Sequence, residues 1–463
     1  MKTYTLPEKK VETRFSADVV VCGGGTAGVH AAVAAANEGC SVIIIEQFGS
    51  LSGSAGNGLV TPLMHMHVNG DPQCSYITPL LNAKLDEQDG LYPDRRQFDP
   101  LAIRYASERL CIDAGVKILY YHFISDVITE NGTVKGIVTV SKSGMYVIEG
   151  KEFIDCTGDG DVSVLAGGTY TKGNPETGKC QPISLRYTVG GVDQKAFGEF
   201  MLEHSKQNGV TKAASFDGEK VYTAVTNTDD WVFSDLFIEA VAKGDLLPED
   251  KAYWQVFAVP GRPDTLAFNN PEFFEDVDGT DSMHLTRAQI EGKERIYRQL
   301  KFYKKYFKGF ENAYISEIAP MVGIRESRNI DTKYILTAED LLSRKKFSDY
   351  ICQSNYPIDV HGVQLKCNTI ATPVNDGMPW YDIPFGCLVV KDFSNLFVAG
   401  RCVGCEFVAE ASLRIQPCCR ATGEASGIGA ALALKNGVSS YDVKGEDVRA
   451  IMISKGADFK PQA

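Results

Sequence analysis

A chain of 463 residues with 44% hydrophobic and 23% charged residues has the composition of a globular protein, long enough for two or three domains. Its formal net charge of −12 argues against a nucleic-acid partner, because binding to phosphate backbones depends on clustered Lys and Arg. No stretch reaches the roughly 18 to 20 apolar residues of a membrane-spanning helix, so we expect no membrane partner.

The thirteen cysteines are scattered over the whole chain, and the segment from Met1 to Phe15 lacks the apolar core of a signal peptide. Disulfides persist mainly in oxidising compartments, which a secreted chain reaches through such a signal. We therefore expect reduced thiols and a cytoplasmic location.

The first regular elements predict a βαβ unit. An extended arm from Lys2 to Ser16 leads into the apolar, β-branched run 17–22, which is typical of a buried parallel strand. Residues 26–37 are rich in alanine and contain no helix breaker, so they predict a helix, and the run 41–46 predicts a second buried strand.

Glycines connect the first strand to the helix. Gly23, Gly25 and Gly28 fit the spacing G-x-G-x-x-G, in which the first permits a tight turn, the second lets a pyrophosphate approach the backbone, and the third lets helix and strand pack. Glu46 ends the next strand, where a carboxylate can bond ribose hydroxyls. A purely structural glycine turn is the alternative, but this context favours a dinucleotide site, which also includes Thr26, Ala27 and Gln47.

The chain continues with a helix and an antiparallel insertion. Asp99 is a predicted N-cap before Pro100, and this helix extends to about Ala114. Apolar, β-branched runs then predict four strands, at 116–121, 126–130, 134–140 and 152–156. Asn131-Gly132 separates the second strand of this set from the third and predicts a hairpin turn, because both of its central residues need positive φ.

The pattern changes in the middle of the chain and returns near its end. From 168 onward, mixed strands and a charged helix at 286–306 predict a second domain on the substrate side. A buried strand at 395–400 and a small-residue helix at 417–434 then resume the nucleotide-binding pattern. The predicted boundaries are therefore 1–167 and 376–440 for a discontinuous nucleotide-binding domain, 168–375 for a substrate domain, and 441–463 for a C-terminal tail.

Separated segments between Asp18 and Leu434 carry a resemblance to a known family. They are 51–55, 154–161, 323–328, 336–340, 356–361 and 395–401 with its following helix. In order and spacing they resemble the FAD-dependent oxidoreductase family of the glutathione-reductase superfamily, which is also similar to the flavin portion of heterodisulfide reductase. The resemblance implies an α/β fold: a Rossmann-type FAD-binding domain, in which a parallel sheet carries an inserted antiparallel β-meander, plus a mixed α+β substrate domain. It also implies FAD, bound non-covalently.

The resemblance further implies which residues contact FAD. Ser52-Gly53-Ser54 would lie against the pyrophosphate and flavin, Thr157-Gly158 beside the adenosine half, and Gly400-Arg401 near the ribityl chain. The helix that begins near Gln416 would direct its N–H groups at the flavin N1–C2=O edge, where negative charge gathers on reduction. The family usually has two glycines where this chain has Ser52 and Gly53. The remaining implied contacts are Val127, Asp159, Leu413, Arg414 and Ile415.

Two arginines resemble family positions on the active-site side of the substrate domain. Arg325, with Arg328 nearby, could hold a substrate carboxylate or stabilise a developing oxyanion through its planar guanidinium. An internal ion-pair network through Glu326 is the equally weighted alternative.

Two histidine positions are further catalytic candidates. His361 could donate a proton because its intrinsic pKa lies near neutrality, although a core histidine bonded to the backbone is an equal alternative. His65 and His67 share one side of a possible strand after the flavin loop, where a plain half-exposed strand is the alternative.

Four cysteines, Cys402, Cys405, Cys418 and Cys419, could form a redox dithiol or a metal site. A cluster-binding C-x-x-C-x-x-C run is absent from the sequence, and adjacent thiols on a helix point in different directions. We therefore predict structural packing and no metal site. An iron–sulfur cluster is implied by family analogy alone, and the cysteine spacing does not support it.

These observations together predict an enzyme that transfers hydride or electrons between flavin N5 and a small organic substrate. No second G-x-G-x-x-G follows a strand, so we predict no separate NAD(P) domain, and the electron donor or acceptor stays unknown. A flavin monooxygenase is one alternative, although that class usually has Gly-Asp late in the chain, and the corresponding place here is Gly400-Arg401. A flavin-carrying electron-transfer subunit of a larger redox complex is the other.

Overall fold

A computed structural model describes residues 2–4, 7–66, 68, 74–209, 214–226, 231–275, 277–362 and 380–461. His67, which was paired with His65 in the sequence analysis, lies outside these residues.

The strands of the described residues are β1 (Thr13–Cys22), β2 (Val42–Ile45), β3 (Lys117–Leu119), β4 (Phe123–Glu130), β5 (Thr133–Ser141), β6 (Gly144–Asp155), β7 (Tyr170–Lys172), β8 (Ile183–Ser184), β9 (Tyr187–Gly190), β10 (Ala214–Phe216), β11 (Val221–Thr226), β12 (Trp254–Val259), β13 (Arg262–Phe268), β14 (Glu272–Phe273), β15 (Tyr314–Ile318), β16 (Gly323–Ile324), β17 (Arg328–Ile330), β18 (Tyr350–Ser354), β19 (Tyr381–Pro384) and β20 (Leu396–Val398). The α-helices are α1 (Thr26–Asn37), α2 (Ile77–Asp86), α3 (Pro100–Asp113), α4 (Asp161–Leu165), α5 (Gln194–Gln207), α6 (Ser234–Ala242), α7 (Ser282–Tyr306), α8 (Ala338–Leu342), α9 (Phe407–Leu413), α10 (Gln416–Asn436) and α11 (Gly445–Ser454).

The largest sheet has the order β3-β2-β1-β6-β5-β4, and β20 also pairs with β6. Strands β1, β2, β3 and β20 join it in parallel, whereas β4, β5 and the first half of β6 form an antiparallel meander. The second half of β6 is bordered by β20 instead of β5. The predicted parallel sheet with an inserted meander is therefore confirmed, and the chain returns to this sheet at β20.

Two helices of small residues cover this sheet side by side. A Cβ added to Gly423 of α10 would lie 2.1 Å from the carbonyl oxygen of Ala27 in α1, and one added to Gly427 would lie 2.3 Å from that of Ala31. The alanines of α1 and the glycines of α10 are thus explained by the close approach of two helix backbones. Both helices begin near the sheet edge where β1 and β20 end, because Ala27 of α1 and Gln416 of α10 line the same cavity as Gly23 and Ala399.

The structure corrects one prediction about the strands of this sheet and confirms another. The arm predicted to end at Ser16 is shorter, because Thr13 to Ser16 belong to β1 and pair with residues 147–149 of β6. The hairpin turn is confirmed, with φ of 49° at Asn131 and 72° at Gly132.

A six-stranded antiparallel sheet, in the order β10-β11-β12-β13-β9-β15, forms the second unit. Its core is dominated by aromatic side chains, and the long helix α7 contributes Phe302 and Tyr303 to it. Helix α7 begins four residues before the predicted start because Asp281 caps it, accepting hydrogen bonds from the backbone of Met283 and His284. The mixed α+β character predicted for this unit is confirmed.

Candidate active site

A cavity of about 1280 Å³ opens where β1, β6 and β20 end, and its far wall comes from the six-stranded sheet. Ligand pockets usually occupy roughly 300 to 1000 Å³. The cavity therefore has room for a dinucleotide and a small molecule together.

The three motif glycines have different surroundings. Gly23 has a φ of 100°, and a Cβ there would lie 2.4 Å from the carbonyl oxygen of Cys156, whereas one on Gly28 would lie 1.9 Å from that of Gly23. Both positions are therefore fixed by packing within the fold. Gly25 differs, since its φ is −73° and the nearest atom to an added Cβ is the Gly53 Cα at 3.9 Å. Gly25 lines the cavity, so packing among the described residues does not require a glycine there, whereas a closely approaching ligand would.

Two helix N-termini open on the cavity without a cap from a side chain. Helix α1 follows Gly25 and α10 follows Ile415, and neither has an acidic residue in its first turn. Thr26, Ala27, Ile415 and Gln416 all line the cavity. Unpaired N–H groups and the positive ends of two helix dipoles thus face the same space, which suits the phosphates and the flavin edge of an anionic ligand.

Glu46 is buried at the cavity wall beside Gln47. Its Oε2 accepts a hydrogen bond from the Gly24 amide at 2.9 Å, and its Oε1 accepts one from the Phe48 amide at 2.9 Å. Burial raises the pKa of this carboxyl, although the amide bonds oppose the rise. Each carboxylate oxygen keeps a second lone pair, so Glu46 can still accept from a ribose hydroxyl while it holds the glycine turn in place.

The loop after β2 lies across the glycine turn. The Ser52 amide donates to the Gly24 carbonyl at 2.8 Å, and Ser52 and Gly53 have φ values of 77° and 47°. Both values fall in the left-handed region that favours glycine, which accounts for the two glycines usual in the family. Gly53 and Ser54 line the cavity, whereas Ser52 supports the loop from outside it.

Arg401 closes the cavity on the β20 side. Its Nη2 donates to Asp159 Oδ1 at 2.8 Å and its Nη1 donates to Ser327 Oγ at 2.7 Å. Thr157, Gly158 and Asp159 follow β6 and line the cavity with Gly400 and Arg401. The two segments that the resemblance placed beside FAD are therefore adjacent in the fold.

The predicted ion-pair network through Glu326 is wrong. Glu326 instead accepts from the backbone amides of Gly173 and Gln181, at 2.8 and 3.2 Å. Arg328 donates to Asp161 at 2.7 Å, and Arg325 pairs with the buried carboxylate of Glu272. The network fails because Arg325 and Glu326, which lie between β16 and β17, and Arg328 at the start of β17 contact different segments of the chain.

His361 lies between two carboxylates at the cavity wall. Its Nε2 is 3.3 Å from Asp359 Oδ2, and its Nδ1 is 3.5 Å from Glu272 Oε1. Burial alone would raise the pKa of Asp359, but His361 and Arg414 lower it well below its usual range. Burial likewise opposes the charges of Arg325 and His361 at Glu272, whose pKa is nevertheless lowered. The backbone alternative for the His361 side chain is therefore wrong.

Three further predicted site residues lie away from the cavity, in addition to Gly28 and Ser52. Val127 packs in the core under the meander, and β4 meets the cavity earlier, at residues 123–125. Leu413 is buried in the main core, and the cavity begins at the next residue, Arg414. His65 is half-buried outside the cavity lining, and residues 61–66 form no strand beyond an isolated bridge at Pro62.

Sequence reasoning missed several polar residues of the substrate side. Arg186, Tyr253, Gln255 and Asn269 line the cavity and come from separate strands or strand ends of the second unit. No local motif links residues so far apart in the chain, so only the sheet pairing brings them together.

The four C-terminal cysteines do not converge. Cys419 lines the cavity, with its Sγ 3.4 Å from the Arg414 carbonyl oxygen, whereas Cys418 faces the core and contacts Cys352. Cys405 accepts from Asn329 Nδ2 at 3.2 Å, and burial raises the pKa of Cys402. Within the described ranges, no group of three or more His, Cys, Asp or Glu residues could hold a metal ion. None of the described helices is long and apolar enough to cross a membrane.

The sequence is similar to one protein family and to several characterised proteins. The sequence profile of the FAD dependent oxidoreductase family matches residues 18–452. A thiamine thiazole synthase from Methanococcus aeolicus is 31% identical over 175 residues, which is 36% of this chain and 62% of that protein. A thiamine thiazole synthase from Sulfolobus acidocaldarius is 31% identical over 161 residues, which is 32% of this chain and 57% of that protein. The chain thus matches less than two thirds of these relatives' length.

Solved structures were also compared. A geranylgeranyl bacteriochlorophyll reductase-like protein from Thermoplasma acidophilum superposes with a TM-score of 0.45 at 13% identity, over 95% of this chain and 84% of that one. A p-nitrophenol 4-monooxygenase from Pseudomonas putida superposes with a TM-score of 0.47 at 11% identity, over 96% of this chain and 87% of that one.

The residues around the cavity fit FAD. Its pyrophosphate needs N–H donors and a close backbone, which the uncapped start of α1 and the open side of Gly25 provide. Its flavin edge needs donors where charge gathers, which the uncapped start of α10 provides. The profile match covers most of the chain, and we conclude that the protein is an enzyme of the FAD dependent oxidoreductase family with FAD as its cofactor.

Proposed function

We propose that the protein transfers a hydride between FAD and a small organic molecule held on the side of the six-stranded sheet. The observation that carries this proposal is that one continuous cavity is lined both by the glycine turn and by Arg325, His361 and Arg414. FAD supplies the two-electron acceptor or donor when it is bound. The residues of the chain need only bind, orient and exchange a proton with the substrate.

His361 is suited to the proton exchange. It lies between Asp359 and Glu272, which can stabilise its imidazolium form while a substrate hydroxyl or amine loses a proton. Arg325 donates to the Pro182 carbonyl oxygen at 2.8 Å and pairs with Glu272, so its guanidinium is held in one orientation. Arg414 is fixed in the same way by the Asp359 carbonyl at 3.0 Å. We infer that these pairings preorganise the wall against which the substrate binds.

Anaerobic reduction of the purified protein by a panel of metabolites tests the proposal. We expect at least one small molecule to bleach the flavin absorbance near about 450 nm and to be recovered two electrons more oxidised. A His361→Gln variant with the same flavin content should be reduced more slowly. Reduction by a redox protein alone would instead indicate an electron-transfer subunit. Oxygen consumption with a hydroxylated product would indicate a monooxygenase.

A further inference from the structure

Arg186 is a buried arginine whose guanidinium is not fully hydrogen-bonded within the fold. It lies between β8 and β9, lines the cavity, and is only 7% exposed. Its Nη1 is buried and has no hydrogen-bond partner in the part of the chain that the structure describes. The Ala319 amide donates to the Arg186 carbonyl oxygen at 2.9 Å, so the backbone that carries the side chain is fixed. A buried guanidinium with an unpaired N–H group destabilises the fold until a partner binds.

The two nearby carboxylates already have cationic partners, although the buried Oε2 of Glu272 has no hydrogen-bond partner among the described residues. Arg325 and His361 share Oε1 of Glu272, and His361 and Arg414 meet Asp359. Three guanidinium groups and the imidazole of His361 therefore face only two carboxylates, which leaves an excess of positive charge in this part of the cavity wall. Burial and the charges of Arg325 and Arg414 lower the pKa of Arg186 to about 9, so it is still protonated at neutral pH.

Neutral polar groups complete this part of the wall. Asn269 Nδ2 donates to the Tyr253 hydroxyl at 3.2 Å and to Gln255 Oε1 at 3.0 Å, and the Tyr253 hydroxyl also donates to Gln255. These side chains are held by each other and line the cavity with Arg186. The array can therefore orient a ligand without rearranging, and it adds no negative charge that would satisfy the arginine.

We propose that Arg186 anchors the substrate, and that the anion subsite around it takes the carboxylate of a small organic acid. The excess of positive charge suits an anion, and a planar guanidinium can bind a carboxylate through two parallel hydrogen bonds. The pairs Arg325–Glu272 and Arg414–Asp359 form the walls of this subsite. This inference rests on the proposed function, because it assigns the substrate class of the same cavity.

Benzoate and benzamide, two probes of the same shape and different charge, test the subsite in the FAD-loaded protein. Binding is measured by calorimetry and by the perturbation of the flavin spectrum, with no turnover. We expect benzoate to bind and benzamide to bind far more weakly. Arg186→Gln should weaken benzoate binding by about 100-fold, the loss of a bidentate charged pair, and should leave the FAD content unchanged. The matched control is Arg262→Gln, which removes an arginine paired with Asp99 outside the cavity lining.

Two results would overturn the inference. Equal benzoate affinity in Arg186→Gln would show that the arginine does not hold the carboxylate, and loss of FAD with unchanged benzoate affinity would assign Arg186 to the cofactor. If Arg186→Gln does not fold, Arg186→Lys decides the matter. It keeps the charge but loses the planar fork, so benzoate should bind at least several-fold more weakly, and unchanged binding would contradict the subsite.

The inference and the proposed function can fail separately. Flavin reduction by uncharged molecules alone, without any organic acid, would leave the hydride transfer intact and reject the carboxylate subsite. Benzoate binding that depends on Arg186, without reduction by any small molecule, would support the subsite and reject the hydride transfer.

Discussion

Gly25→Val changes the cavity without changing the packing of the fold. The φ of Gly25 is −73°, which any residue adopts, and an added Cβ meets no atom closer than 3.9 Å. The new side chain instead occupies the space through which a pyrophosphate reaches the start of α1. A hydrogen bond to a charged group contributes about 1.5 to 3 kcal/mol, so the loss of two such bonds costs about 4 kcal/mol. We expect FAD to bind about 1000-fold more weakly to a folded protein.

The assay compares the flavin that remains after purification with the circular dichroism and thermal melting of the FAD-free forms. Gly39→Ala is the control, because this glycine has a φ of 91°, has no atom within 4 Å of an added Cβ, and lies outside the cavity lining. It should retain its flavin and lose only about 1 kcal/mol of stability. Gly28→Ala should fail to fold, since its Cβ would overlap the Gly23 carbonyl. A Gly25→Val protein that keeps its full yellow colour would refute the reasoning.

Three further predictions address other parts of the molecule. His361→Gln should leave the FAD content unchanged and slow flavin reduction by substrate about 100-fold or more, measured by anaerobic stopped flow across pH. Burial raises the pKa of Glu152 to about 8, so its stabilising contribution is complete below about pH 4.5 and is lost as the pH rises through 8. Glu152→Gln should therefore flatten the decline of melting temperature between about pH 5 and pH 9, the range that spans the ordinary and the raised pKa of this carboxyl. Gly423→Val should cost at least about 3 kcal/mol in denaturant unfolding, because its side chain would be forced against Ala27.

Each of these has its own contradicting result. Undiminished reduction in His361→Gln would remove the histidine from proton exchange. A melting profile of Glu152→Gln parallel to that of the wild type would show that the buried carboxyl does not titrate as described. Wild-type stability in Gly423→Val would mean that α1 and α10 are not in contact at that glycine.

The FAD half of the cavity could be predicted because its signals are local. Residues 17–46 contain, in order, the strand, the glycine spacing, the helix and the acid. The structure confirms the steric reason for the glycines at Gly23 and Gly28. The β-branched run and the alanine-rich helix also predicted the order of the first elements correctly.

The substrate half could not be predicted, because it is assembled by long-range pairing. Arg186 is brought to Tyr253 and Asn269 only by the register of β9 with β13 and of β13 with β12. The meander shows the same difficulty, since the cavity is lined by residues 123–125 rather than by Val127. A strand can be recognised from its composition, but which of its residues reaches a cavity depends on where the neighbouring elements end.

The most direct test of the account is a crystal structure of the FAD-loaded protein soaked with benzoate. We predict that the pyrophosphate lies over Gly25 and the start of α1, the flavin edge at the start of α10, and the carboxylate on Arg186. A pyrophosphate bound elsewhere, or a flavin that fills the space beside Arg186 and excludes the carboxylate, would contradict it.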